Sequence, residues 1–129
     1  MDDSYNSNPA ALESVLEGLA SLPSKRKVAV LGDMLELGEN EVYYHVQAGR
    51  QIARFGWDIL VTVGSLSQHM IEGALSSGMK KEQTLAFEDS KQAAEEIWSL
   101  LEEGDLVLVK GSRKIETEKI VEKIRSEGL

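Results

Sequence analysis

Val28-Ala29-Val30-Leu31-Gly32-Asp33 is the stretch that decides how this chain folds. Four apolar residues in a row, without polar alternation and closed by a glycine, read as a short strand buried on both faces. Such a strand needs helices above and below it. The signature returns as Ile59-Leu60-Val61-Thr62-Val63 before Gly64 and as Leu106-Val107-Leu108-Val109 after Gly104, with a shorter strand over Thr84 to Phe87. Helical stretches separate these runs. Pro9 to Leu22 places Leu12, Val15, Leu16 and Leu19 on one face, with Asn8 as N-cap and Pro9 in the first turn. After a polar loop from Asp33 to Asn40, a second helix is expected from about Glu41 to Phe55, carrying Val42, Val46, Ile52 and Ala53. Ser65 is expected to cap a helix running to about Ser76, Ser90 to cap one over Lys91 to Leu101, and a last helix to cover roughly Glu116 to Ser126.

Strands alternating with helices through short connections imply right-handed βαβ units and a mainly parallel sheet. The expected fold is therefore α/β, a three-layer Rossmann-like sandwich, formed as one domain over residues 1–129. The beginning is irregular. A doubly wound domain normally opens on a strand, whereas here the polar run Asp2-Asp3-Ser4-Tyr5-Asn6-Ser7-Asn8-Pro9 leads directly into a helix. A first strand is expected upstream of Met1.

Composition narrows the function classes. With 129 residues, 42% of them hydrophobic, the chain is long enough to bury one core. Its 22 acidic against 14 basic residues give a net charge of −8, a surface that repels nucleic acid and anionic membranes. No apolar run approaches the roughly 20 residues of a membrane span, and no signal peptide opens the chain, so a cytoplasmic location is expected. The absence of cysteine excludes disulfides and thiolate metal sites. Two histidines leave little for a metal, and none is expected.

In open parallel sheets, ligands collect outside the carboxyl ends of the strands. Four segments end at that edge: Gly32-Asp33, Gly64-Ser65, Glu88-Asp89 and Lys110-Gly111-Ser112-Arg113. The loop from Asp2 to Asn8 would join them. No segment has the glycine-rich pattern that cradles a triphosphate, so the chain alone is not a complete nucleotide-driven enzyme. Lys110 and Arg113 flank a Gly-Ser turn and can seat a carboxylate or phosphate, or simply solvate a strand end. Asp33 can meet a cation, an amine or a hydroxyl, although aspartates also fix turns for structural reasons. His45 can donate to a substrate or act as a base, and the alternative is a cap or packing residue. Asp2 and Asp3 can hold a ribose or a metal ion, and Asn6 and Asn8 an amide or ring edge, against the alternative of a tail with one ordinary cap. His69 has no partner at metal-ligand spacing and is assigned no role. The carboxylates at 88, 89, 95, 96, 102 and 103 read as solvated helix faces and ends.

Three motifs then converge. Asp2 through Pro9, Leu31-Gly32-Asp33-Met34-Leu35-Glu36-Leu37-Gly38-Glu39 with His45 shortly after, and Val109-Lys110-Gly111-Ser112-Arg113 together resemble the C-terminal domain of a Mur ligase. The resemblance runs through almost the whole chain in order, and within the family it points to the branch that adds D-alanyl-D-alanine to UDP-N-acetylmuramoyl-tripeptide. It implies a three-domain enzyme of peptidoglycan synthesis that uses ATP and Mg2+ to activate a peptide carboxylate for attack by the dipeptide amine. The N-terminal UDP-binding domain and the central ATPase domain are absent from this sequence. The resemblance further implies that Asp2, Asp3, Tyr5, Asn6 and Asn8 face the nucleotide, and that Asp33, Glu36, His45, Lys110, Ser112 and Arg113 face the incoming substrate. No catalytic residue and no bound cofactor are expected in this chain by itself, because the missing central domain would hold ATP and Mg2+. Two other readings stand beside this one. A receiver-like phosphoacceptor domain would use Asp33 and Lys110, but the strand ending at Val63-Gly64 lacks an acidic residue. A non-catalytic module that binds a nucleotide or protein in its crevice is the other.

Overall fold

The computed structural model of the chain describes residues 8–110. Helix α1 (Pro9–Ala20) leads into β1 (Arg26–Gly32), followed by α2 (Glu41–Arg54), β2 (Ile59–Val63), α3 (His69–Ser76), β3 (Thr84–Phe87), α4 (Ser90–Leu100) and β4 (Asp105–Lys110). The four strands form one parallel sheet in the order β3-β2-β1-β4. Parallel strands need crossovers, and each of these is a helix. The chain steps outward from β1 to β2 and β3, then returns past β1 to place β4 on its other side. Right-handed crossovers in opposite directions put their helices on opposite faces. Leu12 and Leu16 of α1, Ala48 and Ile52 of α2, and Met70 and Ala74 of α3 accordingly pack on one face with Ala29, Leu31 and Leu60. Ala93 and Ile97 of α4 cover the other face with Val28, Val30, Val61 and Val63. This is the expected three-layer sandwich.

Local chemistry explains most boundaries. Asn8 caps α1 as expected, its side-chain oxygen accepting from the Ala11 amide at 2.9 Å. Gly78 turns the chain after α3 at φ 108, in the left-handed region that glycine tolerates best. Three expectations need correction. The cap of α4 is Asp89, whose carboxylate accepts from the Gln92 amide at 2.8 Å, so Ser90 is already inside the helix. Ser65 caps nothing: the chain turns over residues 65–68 and α3 starts only at His69. The inward face of α2 is also different, since Val42 is 43% exposed whereas His45, Ala48, Gly49 and Ile52 are buried. The helix expected over Glu116 to Ser126 lies outside the described residues.

Glycines determine how α2 meets α3. A Cβ built on Gly49 would stand 1.8 Å from the Met70 carbonyl oxygen, and one on Gly73 would stand 1.9 Å from the Val46 carbonyl oxygen. The two helix backbones therefore touch directly. Mid-helix glycine costs about 1 kcal/mol relative to alanine, and this reciprocal approach is the reason both are present.

At the amino edge of the sheet, the Arg26 guanidinium grips Asp105 with two bonds, 3.0 Å from Nε and 2.7 Å from a terminal nitrogen. That terminal nitrogen also donates to the Leu100 carbonyl at 2.8 Å. The Arg26 bond holds the Asp105 carboxyl below its ordinary pKa, and the same bond raises that of Arg26. With a depressed folded-state pKa, the aspartate stabilises the fold above about pH 4 and loses that contribution as the pH falls further.

Gly49→Ala and Gly73→Ala should each lower stability by about 1–3 kcal/mol through overpacking, against the gain of about 1 kcal/mol that helix propensity alone would give. Urea unfolding midpoints measure the difference. An unchanged or higher midpoint in both variants would show that the helices do not meet through backbone.

Candidate functional site

All four carboxyl ends lie on one edge of the sheet because every strand pair is parallel. The strand order reverses at β1, with β2 and β3 on one side and β4 on the other. Helices diverge to opposite faces at such a junction and leave a crevice outside the carboxyl ends. Leu31 of β1 pairs with Lys110 of β4, so Asp33 and Lys110 flank that crevice. Both are buried, at 6% and 2% exposure. Glu36 is exposed in the loop that leaves β1. Its φ of 64 lies in the left-handed region, an uncommon conformation for a residue with a side chain.

Asp33 ties the two central strand ends together. Its Oδ1 accepts from the Ser67 amide at 2.6 Å, joining the loop after β1 to the turn after β2. This charge-assisted bond explains why that turn delays α3: the Ser67 amide points at Asp33 and not at a local cap. Gly64 makes room for the carboxylate. A Cβ there would stand 2.4 Å from Asp33 Oδ1, and the backbone at φ 118 disfavours any side chain. The turn leaves Ser65 and Gln68 exposed at the same edge.

His45 is fully buried on the second turn of α2. Its Nε2 accepts from the Met34 amide at 2.9 Å, and its Nδ1 lies 2.6 Å from the Glu41 carbonyl oxygen. Both ring nitrogens are thus engaged by backbone, the arrangement that the packing alternative for this histidine implies. His69, without a role in the sequence reading, pairs through Nδ1 with the Glu72 carboxylate one turn along α3. Among the described residues, no three His, Asp or Glu side chains are grouped to hold a metal ion. Of the expected nucleotide-facing residues only Asn8 is described, and its side-chain oxygen is committed to capping α1. Asp2, Asp3, Tyr5, Asn6, Ser112 and Arg113 lie outside the described residues.

One feature escaped the sequence entirely. A groove of about 280 Å³ runs between α1 and α2, lined by Pro9, Ala10, Glu13, Tyr43, Tyr44 and Gln47 among others. The Tyr43 and Tyr44 rings meet edge to face, with centroids 5.5 Å apart. Both helices begin at the carboxyl edge, so the groove opens beside the crevice.

The family described as Mur ligase, glutamate ligase domain, matches residues 1–113. The UDP-N-acetylmuramoyl-tripeptide--D-alanyl-D-alanine ligase of Bacillus subtilis (strain 168) is 33% identical over 122 residues, covering 94% of this chain and 26% of the relative. The ligase of the same name from Escherichia coli (strain K12) is 35% identical over 130 residues, covering 99% and 27%. Among solved structures, MurF ligase from Thermotoga maritima in complex with ADP superposes with a TM-score of 0.78 at 27% identity, covering 98% of this chain and 28% of that one. A MurF structure from Acinetobacter baumannii gives 0.82 at 29% identity, covering 97% and 27%. The chain spans about a quarter of the length of the relatives it matches.

The Asp33–Gly64 contact is testable as a coupling. Gly64→Ala should destabilise the chain, and removing the carboxylate by Asp33→Ala should cost less in that background than in the original chain. Unfolding free energies of the four proteins should show a coupling of about 1 kcal/mol or more, whereas additivity within about 0.5 kcal/mol would separate the two residues.

Proposed function

This chain belongs to the Mur ligase family, in its glutamate ligase domain, and from that premise we propose that it is the C-terminal domain of an ATP-dependent ligase joining D-alanyl-D-alanine to UDP-N-acetylmuramoyl-tripeptide. Relatives carrying that name match nearly the whole chain. The structural observation that carries the reading is the position of Asp33 and Glu36 at the reversal of strand order, where such sheets bind ligands.

In this reaction ATP converts the tripeptide carboxylate to an acyl phosphate with release of ADP, and the dipeptide amine attacks the carbonyl carbon and expels phosphate as the amide bond forms. The domain's part is to bring the amine to the carboxyl carbon and to keep water from it. An acidic loop suits that task. The incoming dipeptide carries an ammonium at one end and a carboxylate at the other. Exposed Glu36 and the buried Asp33 of the same loop attract the first, and the strand-end segment of Lys110, Ser112 and Arg113 complements the second. The carboxylates hold the ammonium in its charged form, and it must pass a proton to solvent or to a neighbouring carboxylate before the free amine attacks.

The same carboxylates argue against a triphosphate on this surface. Asp33 and Glu36 would repel it, and among the described residues no glycine-rich loop offers a cradle of amides. ATP and its Mg2+ would be held mainly by a central domain, with Asp2, Asp3, Tyr5, Asn6 and Asn8 closing over the ribose and base from this side. One solved neighbour, the Thermotoga maritima MurF, is in complex with ADP. Among the described residues no helix is long and apolar enough to cross a membrane, which is compatible with action in the cytoplasm.

Mixed with the N-terminal and central domains of a relative, the chain should restore phosphate release that requires ATP, the tripeptide precursor and D-alanyl-D-alanine together. Alone it should release none. Robust ligation by the isolated chain, or no restoration by a covalent fusion of the three parts, would contradict the proposal.

A further inference from the structure

His45 is fully buried and polar, and both of its ring nitrogens bond to backbone, so its place in the core needs a reason. Its partners supply one. A backbone amide can only donate, so Nε2, 2.9 Å from the Met34 amide, must present its lone pair. A carbonyl can only accept, so the ring proton sits on Nδ1 and goes to Glu41, 2.6 Å away. The backbone partners therefore select a single tautomer.

Met34 is itself fully buried and directly follows Asp33. The Asp33 carboxylate in turn accepts from the Ser67 amide. A relay in two halves, joined through the Asp33–Met34 backbone, thus runs from the Glu41 carbonyl through the His45 ring to the Met34 amide, and from the Asp33 carboxylate to the Ser67 amide. It spans α2, the loop after β1 and the turn after β2. We infer that His45 is a positioning residue for the substrate-facing edge: it fixes the Asp33–Met34 backbone, and through it the two loops that flank the crevice, without touching substrate. A phenylalanine of similar size would fill the space but leave the Met34 amide with no acceptor, which costs more than the packing returns. A glutamine keeps an acceptor at the same reach. The role in substrate binding rests on the ligase reading, whereas the relay itself does not.

Amide hydrogen exchange on the chain, with His45→Phe and His45→Gln as variants, separates the possibilities. In the phenylalanine variant, Met34 and Ser67 should exchange at least about tenfold faster, the effect of one lost buried bond, while core amides such as Val30 and Leu60 keep their protection. The glutamine variant should recover most of the protection at both positions. Uniform loss across the sheet, or loss at Met34 without Ser67, would reduce His45 to a packing residue and overturn the inference. Should the phenylalanine variant not fold, the imidazole nitrogen shifts of the unaltered chain decide: a ring protonated on Nδ1 supports the relay, and one protonated on Nε2 overturns it. In the reconstituted ligase, the phenylalanine variant should raise the KM for the dipeptide more than it lowers kcat. Absence of ligation by the reconstituted enzyme carrying the unaltered chain would count against the ligase reading while leaving the exchange result standing.

Discussion

Where α2 crosses α3 there is room for backbone only. Gly49 and Gly73 each face a carbonyl oxygen of the opposite helix at a distance no side chain could share, and this close crossing sets the positions of both helices on the sheet. Both helices begin at the carboxyl edge, one after the loop from β1 and the other after the turn from β2. Fixing the helices therefore fixes the ends of those two connections. His45 then attaches the first connection to α2, and Asp33 attaches the first to the second. The edge is held by contacts that are local in space although 34 residues apart in sequence, as between Asp33 and Ser67.

The charge at this edge divides the labour of the proposed reaction. An edge carrying exposed Glu36 and buried Asp33 in one loop suits a cationic amine and disfavours phosphate, so a domain of this kind would complement one that binds the nucleotide. Lys110 pairs with Leu31 on the neighbouring strand, two residues before Asp33, so an acidic and a basic residue meet at this strand-end edge. A dipeptide with an ammonium and a carboxylate matches that polarity. The amino edge has the opposite purpose: the Arg26–Asp105 pair closes it and binds β1 to β4.

Much of the architecture was legible in the sequence because apolar runs such as Val28 to Leu31 and Ile59 to Val63 can only be interior strands. The N-cap at Asn8 was legible for a similar reason, since asparagine before proline has few other uses there. The inward face of α2 was not. Hydropathy favours Val42 over His45 and Gly49, yet His45 is drawn inward by two backbone partners and Gly49 by its contact with α3. A glycine in the middle of each of two neighbouring helices was the signal available. The start of α3 was misplaced because the Ser67 amide answers to Asp33, a partner that no local pattern reveals. Of the candidate site, the position of Asp33 at the edge could be read from Gly32-Asp33 closing a strand. Its burial, and that of Lys110, depends on tertiary packing.

The central claim, that this edge receives the incoming dipeptide, is tested most directly by titrating the isotope-labelled chain with D-alanyl-D-alanine and following its backbone amides. Shifts are expected to concentrate in residues 33–37, in residues 64–68 and at Lys110, with little change in α4. Shifts centred on α4 or on the amino edge around Arg26 and Asp105, or no shifts at saturating dipeptide, would contradict it.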